Sequence, residues 1–77
     1  SPTQIFVQAG AFGQLDNAER LARRLETIGK ASVEPVRYGG KILYKVRLGP
    51  LDTIRAADNV LSKVLANGQS DAIIVVQ

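Results

Sequence analysis

The sequence predicts an α+β domain in which two βαβ halves follow each other as βαββαβ, and three observations support that prediction. Shifting the 77-residue chain by 39 positions aligns it with itself, so that Gly10 falls on Gly49 and Gly29 on Gly68. Each half runs from an alternating apolar segment through a helical apolar spacing to a second alternating segment. Two copies are too few for a solenoid, so we expect one compact split-βαβ domain of the ferredoxin-like or RNP-like kind.

The first half is predicted to contain a strand, a helix and an edge strand. Residues 4–9 alternate and are rich in residues that favour strands. Residues 16–28 have apolar side chains at helical spacing, and Gly29 suits the left-handed position that ends a helix. Residues 31–37 read as the second strand, which we expect at a sheet edge because Pro35 has no N–H to donate to a ladder.

The second half repeats this order after a hairpin turn. Gly39 and Gly40 predict a tight turn, because paired glycines supply the positive φ that such turns need. Gly49-Pro50 is expected to break the third strand, and either Asp52 or Thr53 is expected to cap the second helix. The remaining predicted bounds are a third strand over 42–48, a second helix closed by Gly68, and a last strand over 72–76.

These elements predict a sheet with one covered face and one open face. Helical crossovers have a favoured hand, which places the first and third strands at the centre of a four-stranded antiparallel sheet. Both helices then cover one face and leave an open binding face on the other side. Because side chains alternate along a strand, the open face is expected to show Phe6, Gln8, Leu43, Lys45, Arg47, Ile73 and Val75.

Composition excludes several kinds of chemistry. The chain has no cysteine and no histidine, which rules out disulfides, Cys/His zinc sites and catalysis by Ser-His-Asp or Cys-His groups. Most of its seven acidic residues fall at helix starts or on solvated helix faces, which leaves no obvious carboxylate pair or oxygen-ligand metal site. We therefore expect a non-catalytic module without cofactor or metal.

Two anionic polymers are candidate ligands for the open face, since the net charge is +3. RNA-recognition modules use this fold with aromatic side chains on the central strands, but Leu43 and Lys45 occupy those positions and only Phe6 remains. For a glycan with carboxylates, Gln8 can bond hydroxyl or acetamido groups, and Lys45 and Arg47 can pair with the acids. A merely solvated cationic face is the alternative for the two cations, and strand addition at a sheet edge is a third class of function.

Two motifs resemble those of the SPOR (sporulation-related repeat) domain. They are VQAGAF at residues 7–12 and LYKVRLGPL at residues 43–51, with a matching helix pattern between them, and the resemblance covers residues 4–76. It implies binding to peptidoglycan glycan strands from which amidases have removed the stem peptides. It also implies that the domain targets its parent protein to the division septum in the bacterial periplasm.

The resemblance further implies which residues bind the glycan. Gln8 corresponds to the family's first-strand glutamine, and Ala11 stands where many members have serine. Leu43 replaces an aromatic residue of some members, Lys45 replaces an arginine, and Ile73 is the hydrophobic residue of the last strand. The full expected set of glycan-binding residues is Phe6, Gln8, Ala11, Leu43, Lys45, Arg47 and Ile73.

The freed lactyl carboxylate of such a strand is expected to pair with Lys45, Arg47 or Arg37, while loss of the peptide removes a clash with a flat sheet. Residues 1–3 are expected to be a linker end and residues 4–77 the domain, acting as a monomer. No nucleic-acid partner is expected. Any membrane contact should come from an anchor in the parent protein, an outer-membrane lipoprotein in this reading, whose catalytic activity would lie outside these residues.

Overall fold

The computed structural model describes residues 3–77 and has the expected element order and sheet topology. Ser1 and Pro2, two residues of the expected linker, lie outside the described residues. The sheet has the order β2-β3-β1-β4, and each neighbouring pair is antiparallel, so the first and third strands are central as predicted. The elements are β1 (Ile5–Phe12), α1 (Leu15–Leu25), β2 (Ala31–Tyr38), β3 (Lys41–Leu51), α2 (Ile54–Ala66) and β4 (Ile73–Val76).

The hydrophobic core lies between the sheet and the two helices. Helix α1 contacts β1, β2 and β3, and helix α2 contacts β1, β3 and β4, so both helices cover the same face and leave the other open. Within residues 3–77, neither helix is long and apolar enough to cross a lipid bilayer. The core consists of alternate strand residues and one stripe of each helix, namely Val7, Ala9, Ala18, Leu21, Leu25, Val46, Leu48, Ala57, Val64 and Ala72.

Helix α1 ends earlier than the sequence predicts, at Leu25 rather than Ile28. The chain leaves the helix through a tightened turn, in which the Ile28 N–H donates to the Leu25 carbonyl at 2.9 Å. Gly29 does not have the positive φ expected of it. A Cβ at this position would lie 3.4 Å from Cδ2 of Leu48, so the glycine instead allows close packing between the turn and the sheet.

The structure shows which residues form the cap of α2 and the hairpin turn. Thr53 rather than Asp52 caps helix α2, because its Oγ1 accepts a hydrogen bond from the Ala56 N–H at 3.0 Å. Gly68, just after the helix, has φ +112. At the hairpin between β2 and β3 only Gly39 has positive φ, at +61, as in a type II′ turn with glycine in its first central position.

Strand β3 is not broken at Gly49-Pro50, contrary to the prediction, but continues to Leu51. Leu48 lies opposite Val7 and Leu51 opposite Ile5, so β3 has one residue more than β1 over this stretch. The ladder absorbs that residue as a bulge. A proline that lacks a ladder donor is tolerated at such a place, which explains why the strand continues through it.

Strand β1 contains a second bulge, towards its other end. Gln8 lies opposite Arg47 and Gly10 opposite Val46, which leaves Ala9 as the extra residue. From this point on, the alternation of side chains along β1 is shifted by one residue. The aligned glycines of the internal repeat therefore mark one bulge on each central strand.

Candidate functional site

The side of the sheet turned away from the helices, here called the open face, brings together all the residues predicted to bind glycan. The faces follow from strand alternation, from the ladder pairs and from the strand residues that pack into the core. The bulge at Ala9 turns Ala11 to this side. The open face consists of Phe6, Gln8 and Ala11 of β1, Ser32, Glu34, Val36 and Tyr38 of β2, Lys41, Leu43, Lys45 and Arg47 of β3, and Ile73 and Val75 of β4.

Phe6 lies on the open face as expected, but its ring is covered. The guanidinium carbon of Arg47 lies 3.9 Å from the ring centroid, well within the range of a cation–π contact. Phe6 is only 5% exposed. A sugar could touch the Phe6 ring only after Arg47 had moved, so Arg47 forms the surface here.

Arg47 is also held by two polar partners. Its Nη1 donates to Oε1 of Gln77 at 2.8 Å and lies 3.3 Å from Oε1 of Glu34. Only 13% of its side chain is exposed, and its Nε is buried without a hydrogen-bond partner in the described part of the chain. Because Glu34 already balances part of this positive charge and little of the side chain is exposed, Arg47 attracts a ligand carboxylate less strongly than an unpaired cation would.

Lys45 is the better placed cation for a ligand. It lies opposite Glu34 on one side and opposite Ala11 on the other, near the centre of the open face. Among residues 3–77, both ion pairs of the structure involve arginine, and neither includes Lys45. Its ammonium group is therefore available to an incoming carboxylate without the loss of an internal ion pair, and the exposed Lys41 adds positive charge at the hairpin end.

Apolar side chains flank this charged centre on both sides. Leu43 lies opposite Val36, and Tyr38 follows two residues along the same face. On the other side lie Ile73 and Val75 of β4. Tyr38 is 70% exposed and Ile73 is 51% exposed, so both can contact the apolar faces of sugar rings.

The sequence analysis did not place Ser32, Glu34, Val36, Tyr38 or Lys41 on the open face, nor Gln77 beside Arg47, and three of these six bear most on the site: Glu34, Tyr38 and Gln77. Tyr38 was assigned to the hairpin turn, whereas it is the last residue of β2. Alternation counted from Val33, which packs against the core, would have placed both Glu34 and Tyr38 on the open face. No sequence signal indicates the third, Gln77, because its contact with Arg47 joins residues 30 positions apart.

Arg37 does not join the other two predicted cations. It lies two residues beyond Pro35, whose ladder partner Tyr44 packs against the core, so the Arg37 side chain is on the helix side of the sheet. Arg37, expected as one of three cations that could pair with the freed carboxylate, therefore lies on the side of the sheet opposite to Lys45 and Arg47.

Comparison with known proteins identifies the family. The SPOR domain profile matches residues 1–75, and the chain belongs to the SPOR domain family. The two motifs are also similar to those of the SPOR domain of rare lipoprotein A (RlpA), and the chain resembles a solved structure of such a domain. The RlpA SPOR domain from Pseudomonas aeruginosa superposes with a TM-score of 0.85 at 25% identity, over 92% of this chain and 96% of that one.

A second solved structure is similar over the whole chain. It is the peptidoglycan binding domain of the B. subtilis cell wall lytic enzyme CwlC, with a TM-score of 0.70 and 31% identity, covering 100% of this chain and 92% of that one. Comparison with curated protein sequences found no match.

Proposed function

We propose that this SPOR domain is a non-catalytic module that binds the glycan strands of peptidoglycan through its open face. Membership of the SPOR family supports the proposal, as does the similarity to a domain described as peptidoglycan binding. The observation that carries it is the position of Lys45, a cation with no ion pair to any of residues 3–77, on a face that also presents the Gln8 amide and exposed apolar side chains. A broad, shallow surface of this kind suits an extended polymer.

We further propose that strands without stem peptides are preferred. Amidase cleavage converts the lactyl amide of each muramic acid into a carboxylate, and Lys45 is free to pair with that new charge. The same cleavage removes a peptide that would otherwise lie between the glycan and the sheet. Attraction and steric exclusion then act in the same direction, as in many selective sites.

Such binding would target the parent protein to the division septum in the periplasm, where amidases produce these strands. In this proposal residues 4–77 form the binding domain, residues 1–3 are its linker end, and the domain acts as a monomer. Any membrane anchor, including that of an outer-membrane lipoprotein, and any lytic activity belong to the parent protein outside these residues.

Single-stranded RNA is the competing ligand for a sheet of this shape. The open face offers RNA little to stack on, because Arg47 covers the Phe6 ring and Leu43 occupies the aromatic position of the third strand. Tyr38 is exposed, but it lies at the end of an outer strand rather than on the two central strands. We therefore favour glycan over RNA as the ligand, and RNA binding is one of the results that would overturn the proposal.

Co-sedimentation with amidase-treated and untreated sacculi tests the proposal. Lys45→Ala and Gln8→Ala are each expected to weaken binding to treated sacculi by about threefold to tenfold, the range expected for one polar contact. Arg37→Ala is the matched control, since that side chain lies on the helix side. Equal binding to treated and untreated sacculi would remove the preference for stripped strands. RNA binding that denuded strands cannot displace would overturn the glycan assignment.

A further inference from the structure

A cleft lies on the helix side of the sheet, between α1 and the loop that follows α2. Its floor is apolar, because Ala9 and Leu21 belong to the core and Phe12 packs against that core. Since these side chains are on the side of the sheet that the helices cover, the cleft is separate from the open face. Its volume is about 320 Å³, at the small end of the range for ligand sites.

Two arginines of α1 line the cleft. Arg20 and Arg24 are four residues apart and therefore lie on the same side of the helix. Nη2 of Arg20 donates to Oδ1 of Asn17 at 2.9 Å and to Oδ2 of Asp16 at 3.4 Å. Arg24 is exposed, and its side chain has no hydrogen bond or ion pair to any of residues 3–77. The helix dipole also favours a cation in this last turn, so Arg24 by itself does not indicate a ligand.

Gln69 lines the cleft on the other side and has a polar atom that lacks a partner. Its backbone is fixed, because the N–H donates to the Val64 carbonyl at 3.4 Å and the carbonyl accepts from the Ala72 N–H at 3.2 Å. Its side-chain Oε1 is buried and has no hydrogen-bond partner among the described residues. A buried acceptor without a partner is costly, and a ligand that brings a donor removes that cost.

Together these features specify the chemistry of a ligand. It needs an anionic group for the Arg24 guanidinium, an N–H for the Gln69 oxygen and a small apolar group for the floor beside Phe12. The last residue of a peptide has all three, since its α-carboxylate, its N–H and its side chain surround one carbon atom. A fully ionised phosphate has neither a donor nor an apolar group, so it matches the cleft less well.

We propose that this cleft binds the free carboxylate end of a peptide whose last residue is small and apolar. The carboxylate pairs with Arg24, the N–H of the last residue donates to Oε1 of Gln69, and the side chain packs on Phe12. This inference goes beyond the proposed function, because it concerns the opposite side of the sheet and a peptide instead of a glycan. A domain with both sites holds a stripped strand on one side and a peptide end on the other.

The internal repeat shows that the site belongs to one half of the chain. A shift of 39 residues places Asn59 on Arg20 and Lys63 on Arg24. The second helix therefore has a single cation where the first has two arginines, and a lysine lacks the planar fork that binds a carboxylate through two hydrogen bonds. Lys63 is thus an equivalent cation outside the cleft and serves as a control.

Nuclear magnetic resonance titration of the 77-residue domain tests the proposal. The probes are N-acetyl-alanyl-alanine and its C-terminal amide, each made with L-alanine and with D-alanine. Proteins end in L residues, whereas the stem peptides of the cell wall contain D residues, so the tighter form names the source of the peptide. We expect the acid to shift the side-chain signals of Arg24 and Gln69 and to bind about three- to tenfold more tightly than the amide.

Substitutions then assign the contacts. Arg24→Ala is expected to weaken binding of the acid about three- to tenfold, and Gln69→Met, which removes the oxygen and keeps the length of the side chain, about two- to fivefold. Arg23→Ala is the matched control, because it removes the same charge from the same helix but lines a separate depression beside β2. Lys63→Ala is the second control. Neither control is expected to change the affinity.

Three results would overturn the site. The first is equal affinity for the acid and the amide in both alanine forms. The second is an equal loss of affinity in the Arg23→Ala and Arg24→Ala variants, which would show a general effect of charge. The third is inorganic phosphate that shifts Arg24 and Gln69 where neither peptide does, which would replace the peptide by a phosphate group. Binding of glycan to the open face is measured separately, so these failures leave the proposed function standing.

Discussion

Glu34 lies opposite Lys45 in the β2–β3 ladder, yet its carboxylate is 3.3 Å from the guanidinium of Arg47, two residues further along β3. This acid is the single negative charge among the residues that define the open face, and it sits between two cations. It therefore weakens the attraction that the face exerts on an anionic ligand.

Replacing Glu34 by glutamine should strengthen glycan binding. The change removes the negative charge and keeps the shape of the side chain, so we expect denuded strands to bind about two- to fivefold more tightly at low salt. The gain should shrink as salt is raised, because it is electrostatic. Calorimetric titration at two salt concentrations measures both effects. Asp58→Asn on α2 is the matched control, and a weaker Glu34→Gln complex would contradict the prediction.

Arg47 is predicted to matter for stability as well as for the surface it forms. Arg47→Ala uncovers the Phe6 ring and removes the cation–π contact, which should lower the free energy of unfolding by about 1–2 kcal/mol. Arg47→Met keeps an apolar cover over the ring and should lose less. Urea denaturation measures the difference, with the exposed Arg24→Ala as control. Equal losses for the alanine and methionine variants would show that covering the ring does not stabilise the fold.

Replacing Gly49 by a residue with a side chain is predicted to destabilise the fold for two separate reasons. Its φ is +135, and a Cβ there would lie 3.0 Å from both the Ile5 carbonyl oxygen and Cδ1 of Phe6. Gly49→Ala should therefore lower the free energy of unfolding by about 2–3 kcal/mol. Gly40→Ala is the control, because its Cβ would meet nothing within 4 Å and its φ is not positive. Similar melting temperatures for the two variants would count against the strain at Gly49.

Tyr38 is predicted to contribute to binding but not to stability. It is 70% exposed at the hairpin end of the open face, where its ring can lie against a sugar. Tyr38→Ala should weaken binding of denuded strands by about two- to fivefold and leave the melting temperature unchanged. Tyr38→Phe keeps the ring and should bind more tightly than the alanine variant. If the phenylalanine and alanine variants bind equally, the glycan does not contact this ring.

The arrangement of the fold could be predicted from the sequence because it depends on local patterns. The helical spacing of each half, the two glycines of the hairpin and the position of Pro35 are enough to set the strand order. The continuation of β3 through Pro50 could not be predicted in this way. It depends on a bulge, which is a property of two paired strands and not of either sequence alone.

In the candidate site, too, local patterns predict some features and tertiary contacts decide the others. Alternation assigns Gln8, Lys45 and Arg47 to one face of the sheet, and the structure brings them together there. Which cation remains available does not follow from alternation. The Arg47 guanidinium already contacts Glu34 of β2 and the side chain of Gln77. These tertiary contacts distinguish it from Lys45.

The paired backbones of Gln4 and Gln77 have a mechanical consequence. They bring the first strand and the last strand together at one corner of the sheet, so a tether joined to either side would pull on the same point. The side chain of Gln77 holds Arg47 at 2.8 Å, which connects that corner to the ligand-facing surface. A circular permutant would join the two chain ends at this corner and have its new ends between Gly39 and Gly40. We expect it to keep the β1–β4 ladder and the open face, since the cut falls in a two-residue turn.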